Sequence, residues 1–320
     1  MKEWIDIIRE IENYLNSDIE FSLATIVKVE GSAYRSTGAR MLILENGHWI
    51  GGISGGCLEG DLLKKAQKCI IEKRIELITY DTREDDPYQI GVGLGCNGKI
   101  DIVLNSDRNS IINFKDELKT LLNSTYGGII QHEWDLKGNT YQFQKNLYSK
   151  PNKSKNHADI LEQEVHFEEV IQPIRQLWVF GVSFDSPDVV KMALNLGWHV
   201  NWVGNQSKML DNLKQACFKT FNWEDSYLPQ KDHLIILMTH DIERDIYLLN
   251  RLNSQIPFKY FGILGPRKRW EKLMDLVENE TKINFNNQHV HSPIGLKIGA
   301  EGPYQISISI FSEILGLINQ

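Results

Sequence analysis

The sequence predicts an α/β protein in two parts: an α+β domain followed by a doubly wound parallel sheet. Three observations predict it. At 320 residues the chain holds about two domains. After Leu177 short apolar runs alternate regularly with amphipathic segments. Between the two halves, Leu147 to Asp159 is dominated by Ser, Lys, Asn and Pro and reads as an exposed connection. The expected domains are therefore 1–160 and 161–320.

In the first half, Trp4, Ile7, Ile8, Ile11 and Leu15 form a helical stripe. Phe21 to Glu30 alternates as a strand and runs into the loop Gly31 to Gly38. Met41–Leu44 and His48–Ile50 form a hairpin around Asn46-Gly47, a pair suited to positive φ. Gly51-Gly-Ile-Ser-Gly-Gly-Cys57 then opens a helix over Leu58–Lys73. A strand at Ile75–Tyr80, a glycine-rich loop at Gly91–Gly98 and a strand at Lys99–Leu104 follow. Asn105 to Asn146 reads as one helix and a hairpin turning at Lys137-Gly138, with no chemistry attached.

In the second half, Leu177–Gly181, His199–Val203, His233–Met238 and Tyr260–Leu264 are buried-type strands. Pro187–Gly197 and Ile242–Leu252 are the intervening helices. Such alternation builds a parallel sheet covered by helices through right-handed crossovers, a Rossmann-like domain. The Ser183 loop and His240 should then lie at the same carboxyl edge.

Composition narrows the function. Forty-two per cent hydrophobic and 24% charged residues supply folded cores, and the net charge of −7 excludes a phosphate-tracking nucleic-acid binder. No run approaches the roughly 20 apolar residues of a membrane span, and the N-terminus is no signal peptide. Cys57, Cys69, Cys96 and Cys217 lack zinc-type spacing and do not form a secreted disulfide framework. A reducing cytoplasm is the expected setting.

Gly95-Cys96-Asn97-Gly98 is the first candidate site. Its glycines let backbone N–H groups approach a ligand, and a thiolate held there suits a soft metal. A tight turn around a small buried cysteine competes with that reading. Cys57 ends a second glycine turn, Ser54-Gly55-Gly56, at a helix start. There the dipole favours thiolate and anions, although close packing explains the glycines too. Ser54 doubles as a prospective N-cap. Arg35 and Arg40 flank the earlier loop and are candidates for gripping a phosphate.

Gly181-Val-Ser-Phe-Asp-Ser-Pro187 stands where a dinucleotide fingerprint would, but Ser183 replaces its second glycine. The next strand ends Gly204-Asn205 without the ribose-binding acid. His240 and Asp241 follow a strand at the edge where open sheets place ligands, with an N-cap as the plainer role of Asp241. Arg267, Lys268 and Arg269 open a helix, where cations are disfavoured unless an anion joins them. Ser292 to Pro303 implies a shaped loop before a helix striped by Ile306, Ile310 and Ile314.

Together these segments resemble the XdhC/CoxI family. The resemblance rests on Gly31-Ser through Gly38-Ala-Arg-Met41, Ile53-Ser-Gly-Gly-Cys-Leu-Glu59 and Gly93-Leu-Gly-Cys-Asn-Gly98. It continues through Met238-Thr-His-Asp241 with Asp245, Gly262-Ile-Leu-Gly-Pro-Arg267, and Pro293-Ile-Gly-Leu296 to Ser309-Ile-Phe-Ser-Glu313. It implies a dimeric accessory protein with a Rossmann-like second domain. Such a protein binds molybdenum cofactor (molybdopterin) as cargo and protects it during sulfuration by a cysteine desulfurase. It then inserts the cofactor into an apo xanthine-dehydrogenase-like molybdoenzyme. Cys96 matches the family cysteine at the cofactor and so its metal, and Cys57 matches the other motif cysteine. Asn97, Ser183 and Gly204 depart from the pattern. The expected role is a carrier. Its rivals are an NAD(P)-dependent oxidoreductase using the second domain, and a redox module built on Cys57 and Cys96.

Overall fold

The computed structural model describes residues 1–83, 97–149, 155–226, 229–252, 258–281 and 290–318. The chain divides into two compact units, Glu3–Pro173 and Ile174–Gln320, the latter with Met1–Lys2.

The first unit begins with α1 (Lys2–Asn13), whose stripe buries Ile7, Ile8 and Ile11. β1 (Phe21–Gly31), β2 (Arg40–Leu44), β3 (Trp49–Gly51), α2 (Glu59–Glu72), β4 (Ile75–Asp81) and β5 (Gly98–Asn105) follow. The five strands form one antiparallel sheet in the order β3-β2-β1-β5-β4. Ala24, Ile26, Met41, Ile43, Ile102 and Leu104 pack from it onto Leu62, Ala66 and Cys69 of α2. That helix stops at Lys73, whose left-handed backbone at φ 48° donates to the carbonyls of Cys69 and Ile70.

Next come α3 (Arg108–Leu122), β6 (Gly128–Asp135), β7 (Thr140–Leu147), β8 (His157–Ile160) and β9 (Glu164–Ile171). Asp107 caps α3 by accepting from Asn109 N. The expected hairpin is present as β6–β7, its turn held by Asp135 Oδ1, which accepts from Lys137 N and Gly138 N at 2.9 and 2.8 Å. The four strands make a second antiparallel sheet ordered β7-β6-β9-β8. Two expectations change here. The segment ending at Asp159 is not all connection, because 157–160 is a strand paired with β9. The boundary accordingly lies at Pro173–Ile174 rather than at 160/161, since β9 pairs along its length with β6.

The second unit is the predicted parallel sheet. Its elements are β10 (Gln176–Phe180), α4 (Ser186–Asn195), β11 (His199–Val203), α5 (Asp211–Ala216), β12 (Lys219–Phe221), β13 (Leu234–Leu237), α6 (Ile242–Arg251), β14 (Tyr260–Ile263), α7 (Arg267–Thr281), β15 (Val290–His291) and α8 (Gly302–Ile318). All pairings are parallel and the order is β12-β11-β10-β13-β14-β15, the dinucleotide-fold order with its reversal between β10 and β13. Alternate residues of one strand feed opposite cores, because both faces are covered. Leu177 and Val179 pack with Val189 and Val190 of α4 and Ile310 and Ile314 of α8. Trp178 and Phe180 pack with Leu248 and Leu249 of α6 and Leu273 of α7.

Candidate functional site

Two glycine loops of the first unit meet at a cavity. Ser32, Ala33 and Tyr34 line one side; Ile53, Ser54, Cys57 and Leu58 line the other. Tyr80, Thr82, Gly98 and Ile100, at the ends of β4 and β5, form the floor. The loops are registered by backbone. Ser32 N donates to Asn97 O at 3.1 Å, and a Cβ on Gly98 would sit 2.2 Å from Ser32 O. Only glycine allows this approach. Thr82 ties the other side, its hydroxyl donating to Gly98 O at 2.9 Å. Asn97 and Gly98 thus position the cavity through their backbone. Gly95 and Cys96, the proposed metal ligand, lie outside the described residues.

The Ser54–Cys57 turn differs from expectation in what fills it. Its amides do converge as an anion cradle, but Glu59 occupies it. One Glu59 oxygen accepts from the N–H groups of Ile53 at 3.1 Å, Ser54 at 2.8 Å and Gly55 at 3.3 Å; the other accepts from Gly56 N at 3.0 Å and from the Ser54 hydroxyl. Burial raises the Glu59 pKa, but the Ser54 hydroxyl and these amides outweigh it and hold the carboxyl below its usual value. Ser54 is not the N-cap; that position is Leu58, whose N–H donates to Ser54 Oγ at 3.0 Å. The candidates Ser54, Gly55 and Gly56 are therefore engaged with Glu59. Cys57 remains exposed, with a free thiol, at the cavity.

The arginines are also spoken for. Arg40 is 1% exposed and makes a two-pronged pair with Glu169 of β9, at 2.6 and 2.7 Å. Its guanidinium lies 4.2 Å from the Trp4 ring centre and 5.0 Å from that of Phe114. This fork-to-fork geometry is the one Arg favours in buried pairs. Arg40 is thus a structural cation, and its expected phosphate role is corrected. Arg35 pairs with Glu3, and Glu3 also accepts from Arg40 N at 3.3 Å. Behind Arg40 lies a group the sequence did not reveal. His132 is fully buried, with Nε2 3.3 Å from Glu169 and Nδ1 2.8 Å from the Tyr141 hydroxyl. A carboxylate only accepts, so Nε2 carries the proton and Nδ1 accepts from Tyr141. Burial is the largest cause lowering the His132 pKa, against the raising effect of Glu169.

In the second unit the Ser183 loop and His240 do share the carboxyl edge. A Cβ on Gly181 would lie 2.4 Å from Met238 O, and His240 Nε2 lies 3.5 Å from Asp185 Oδ2. His240 holds φ 55°, uncommon outside glycine, with an exposed ring. Asp241 is the N-cap of α6, accepting from Glu243 N and Arg244 N. Thr239 and Arg269 both donate to buried Asp245, the latter at 2.6 Å, and Arg267 pairs with Glu271 at 3.2 Å on its own helix. Internal acids thus counter two of the three cations at this helix start, where the sequence left a solvated face and anion binding as alternatives. Ser183 N is taken by Ser186 Oγ at 3.1 Å. Asp185, the N-cap of α4, puts a negative charge where a pyrophosphate would dock. The loop from Ser292 packs on α8: Gly295 N donates to Glu313 at 3.0 Å and Ser309 Oγ to Leu296 O at 2.6 Å.

Glu59 and Glu169 carry these arrangements, yet neither was singled out as functional. Glu59 had a local signal, an acid closing a glycine turn ahead of a helix. Glu169 had none, its partner being far away in sequence.

Comparison with known proteins agrees with this architecture. Residues 15–81 match the model of the XdhC and CoxI family, and residues 177–314 match the XdhC Rossmann domain. A Bacillus subtilis (strain 168) protein, named as a probable xanthine dehydrogenase subunit, is 28% identical over 95% of each chain. The Escherichia coli (strain K12) "Molybdenum cofactor insertion chaperone PaoD" is 23% identical, over 91% of this chain and 81% of its own. A crystal structure described as a xanthine dehydrogenase from Bacillus halodurans superposes with a TM-score of 0.76 at 27% identity, covering 98% of this chain and 95% of the other. Two family models matched in order, on the two units that the fold itself separates, establish that the chain belongs to the XdhC/CoxI family.

Proposed function

We propose that the protein is an accessory factor that binds molybdenum cofactor and delivers it to a xanthine-dehydrogenase-like hydroxylase. The observation that carries this reading is the cavity of the first unit. It brings together an exposed thiol at Cys57, the backbone of Gly98, and an aromatic, mostly apolar lining. Such a set fits a soft-metal cargo with an organic ring. In this reading Cys96 holds the molybdenum and Cys57 stands beside it. The cargo is sheltered while a cysteine desulfurase sulfurates it, and two copies work together as a homodimer in the cytoplasm. No helix among the described residues is long and apolar enough to cross a membrane.

An NAD(P)-dependent oxidoreductase is the second reading, favoured by the strand order of the second unit. The chemistry of its edge counts against it: Ser183 N is engaged, Asp185 caps α4, and Asn205 follows Gly204 where an acid would hold a ribose.

Replacing Cys96 by Ser removes the soft ligand with little change of volume, and Cys57→Ser serves as the internal comparison. Molybdenum and oxidised-pterin fluorescence are measured after purification from a cofactor-producing host, with activity of a co-expressed client hydroxylase. Loss confined to Cys96→Ser supports the assignment, and equal loss in both variants makes it a two-cysteine site. Full cofactor and full client activation by Cys96→Ser would remove Cys96 from the mechanism.

A further inference from the structure

Three features read as candidates for a phosphate are already satisfied by the chain's own carboxylates. The Ser54–Gly56 amides hold Glu59, Arg35 holds Glu3, and Arg40 holds Glu169. A second anion at the cradle would meet the Glu59 charge directly. What the cavity offers instead is an aromatic surface. Tyr34 is 75% exposed, a large ring left in water on a loop of small and polar residues. Its position is fixed from both sides, by the Ser32–Asn97 backbone bond and the Arg35–Glu3 pair. The ring also lies against Gly55, where a Cβ would come within 3.1–3.2 Å of three Tyr34 ring atoms. One ring face is thereby seated on bare backbone. Ala33, Ile53, Leu58 and Ile100 make the remaining wall apolar, and burying a phosphate against it would be costly.

We infer that the Tyr34–Cys57 cavity receives the planar pterin end of the cargo, the ring system stacking on Tyr34, while the cargo's phosphate stays outside. This rests on the carrier reading and gives it an orientation. Stacking on an exposed tyrosine suits a flat heterocycle whose polar edges stay in water.

The test uses the full chain and 2-amino-4-oxopteridine as the probe, titrated by its own fluorescence, with inorganic phosphate as competitor. Tyr34→Phe keeps the ring and should bind within about twofold of the parent, whereas Tyr34→Ala should bind about tenfold more weakly. Excess phosphate should displace nothing. Matched thermal melts confirm that Tyr34→Ala is folded, as expected at so exposed a position. The inference is overturned if the parent fails to bind the probe, if Tyr34→Ala binds like the parent, if Tyr34→Phe loses as much as Tyr34→Ala, or if phosphate competes. The carrier reading is judged separately, by molybdenum in the protein purified from a cofactor-producing host. Molybdenum present with no effect of Tyr34→Ala sinks only the orientation. Probe binding without molybdenum sinks the carrier reading and leaves a heterocycle-binding cavity without that cargo.

Discussion

Arg40, Glu169, His132 and Tyr141 form a buried chain of ionic and polar contacts between the two sheets of the first unit. Breaking such a pair leaves an uncompensated charge in the interior. Arg40→Ala should therefore cost about 3–5 kcal/mol, read by urea denaturation, while the conservative Arg40→Lys loses the fork but keeps the charge. The same residues set a pH dependence. His132 and Glu169 both have folded pKa values below their unfolded ones, so the unfolded state binds protons first. Their stabilisation is complete above the unfolded values and is lost as pH falls. The loss should begin near pH 6.5 for His132 and deepen below about 4.5, where Glu169 and Glu59 join it. His132→Gln should flatten the stability curve between those two values; an unchanged slope there would mean that His132 does not govern it. None of this was legible in the sequence. Arg40 read as a candidate for a phosphate because the acid that claims it arrives 129 residues later.

Elements were more legible than sites, since a helix stripe or a strand run announces itself locally. The parallel strands β10, β11, β13 and β14 read clearly because burial on both faces leaves continuous apolar runs. β8 did not, because its four residues, His157 to Ile160, follow a polar Ser/Lys/Asn stretch and, among the described residues, pair with β9 alone. At the turn that opens α2 the sequence pointed to a helix dipole favouring anions or to glycines for close packing, whereas its amides converge on Glu59. Glu59 is what locks it. Glu59→Ala should loosen residues 53–58 and raise amide hydrogen exchange there, with the rest of the unit protected as before. Equal protection would show that the glycine turn holds itself. At the edge of the second sheet, Asp241→Ala removes the two side-chain bonds that begin α6 and should cost about 1 kcal/mol, measured as a shift in the denaturation midpoint.

At the scale of the molecule, two units carry the two matched family models, and each contributes different chemistry. The second has a dinucleotide-fold strand order, but Ser183 stands where the fingerprint's second glycine would, Gly204-Asn205 lacks the ribose-binding acid, and His240 lies against Asp185 at the same edge. Neither NAD nor FAD should bind with a dissociation constant of about 1 μM or better, near −8 kcal/mol, by calorimetry; tighter binding would restore the oxidoreductase reading. The first unit supplies the cavity assigned to the cargo. The most direct measurement is transfer. Protein purified from a cofactor-producing host is mixed with an apo xanthine-dehydrogenase-like hydroxylase, the two are separated, and molybdenum is counted in each alongside hydroxylase activity. The account predicts that metal and pterin leave this protein and appear in the hydroxylase as activity rises. A purified protein that holds no cofactor, or one that keeps it while the hydroxylase stays inactive, would contradict the carrier role.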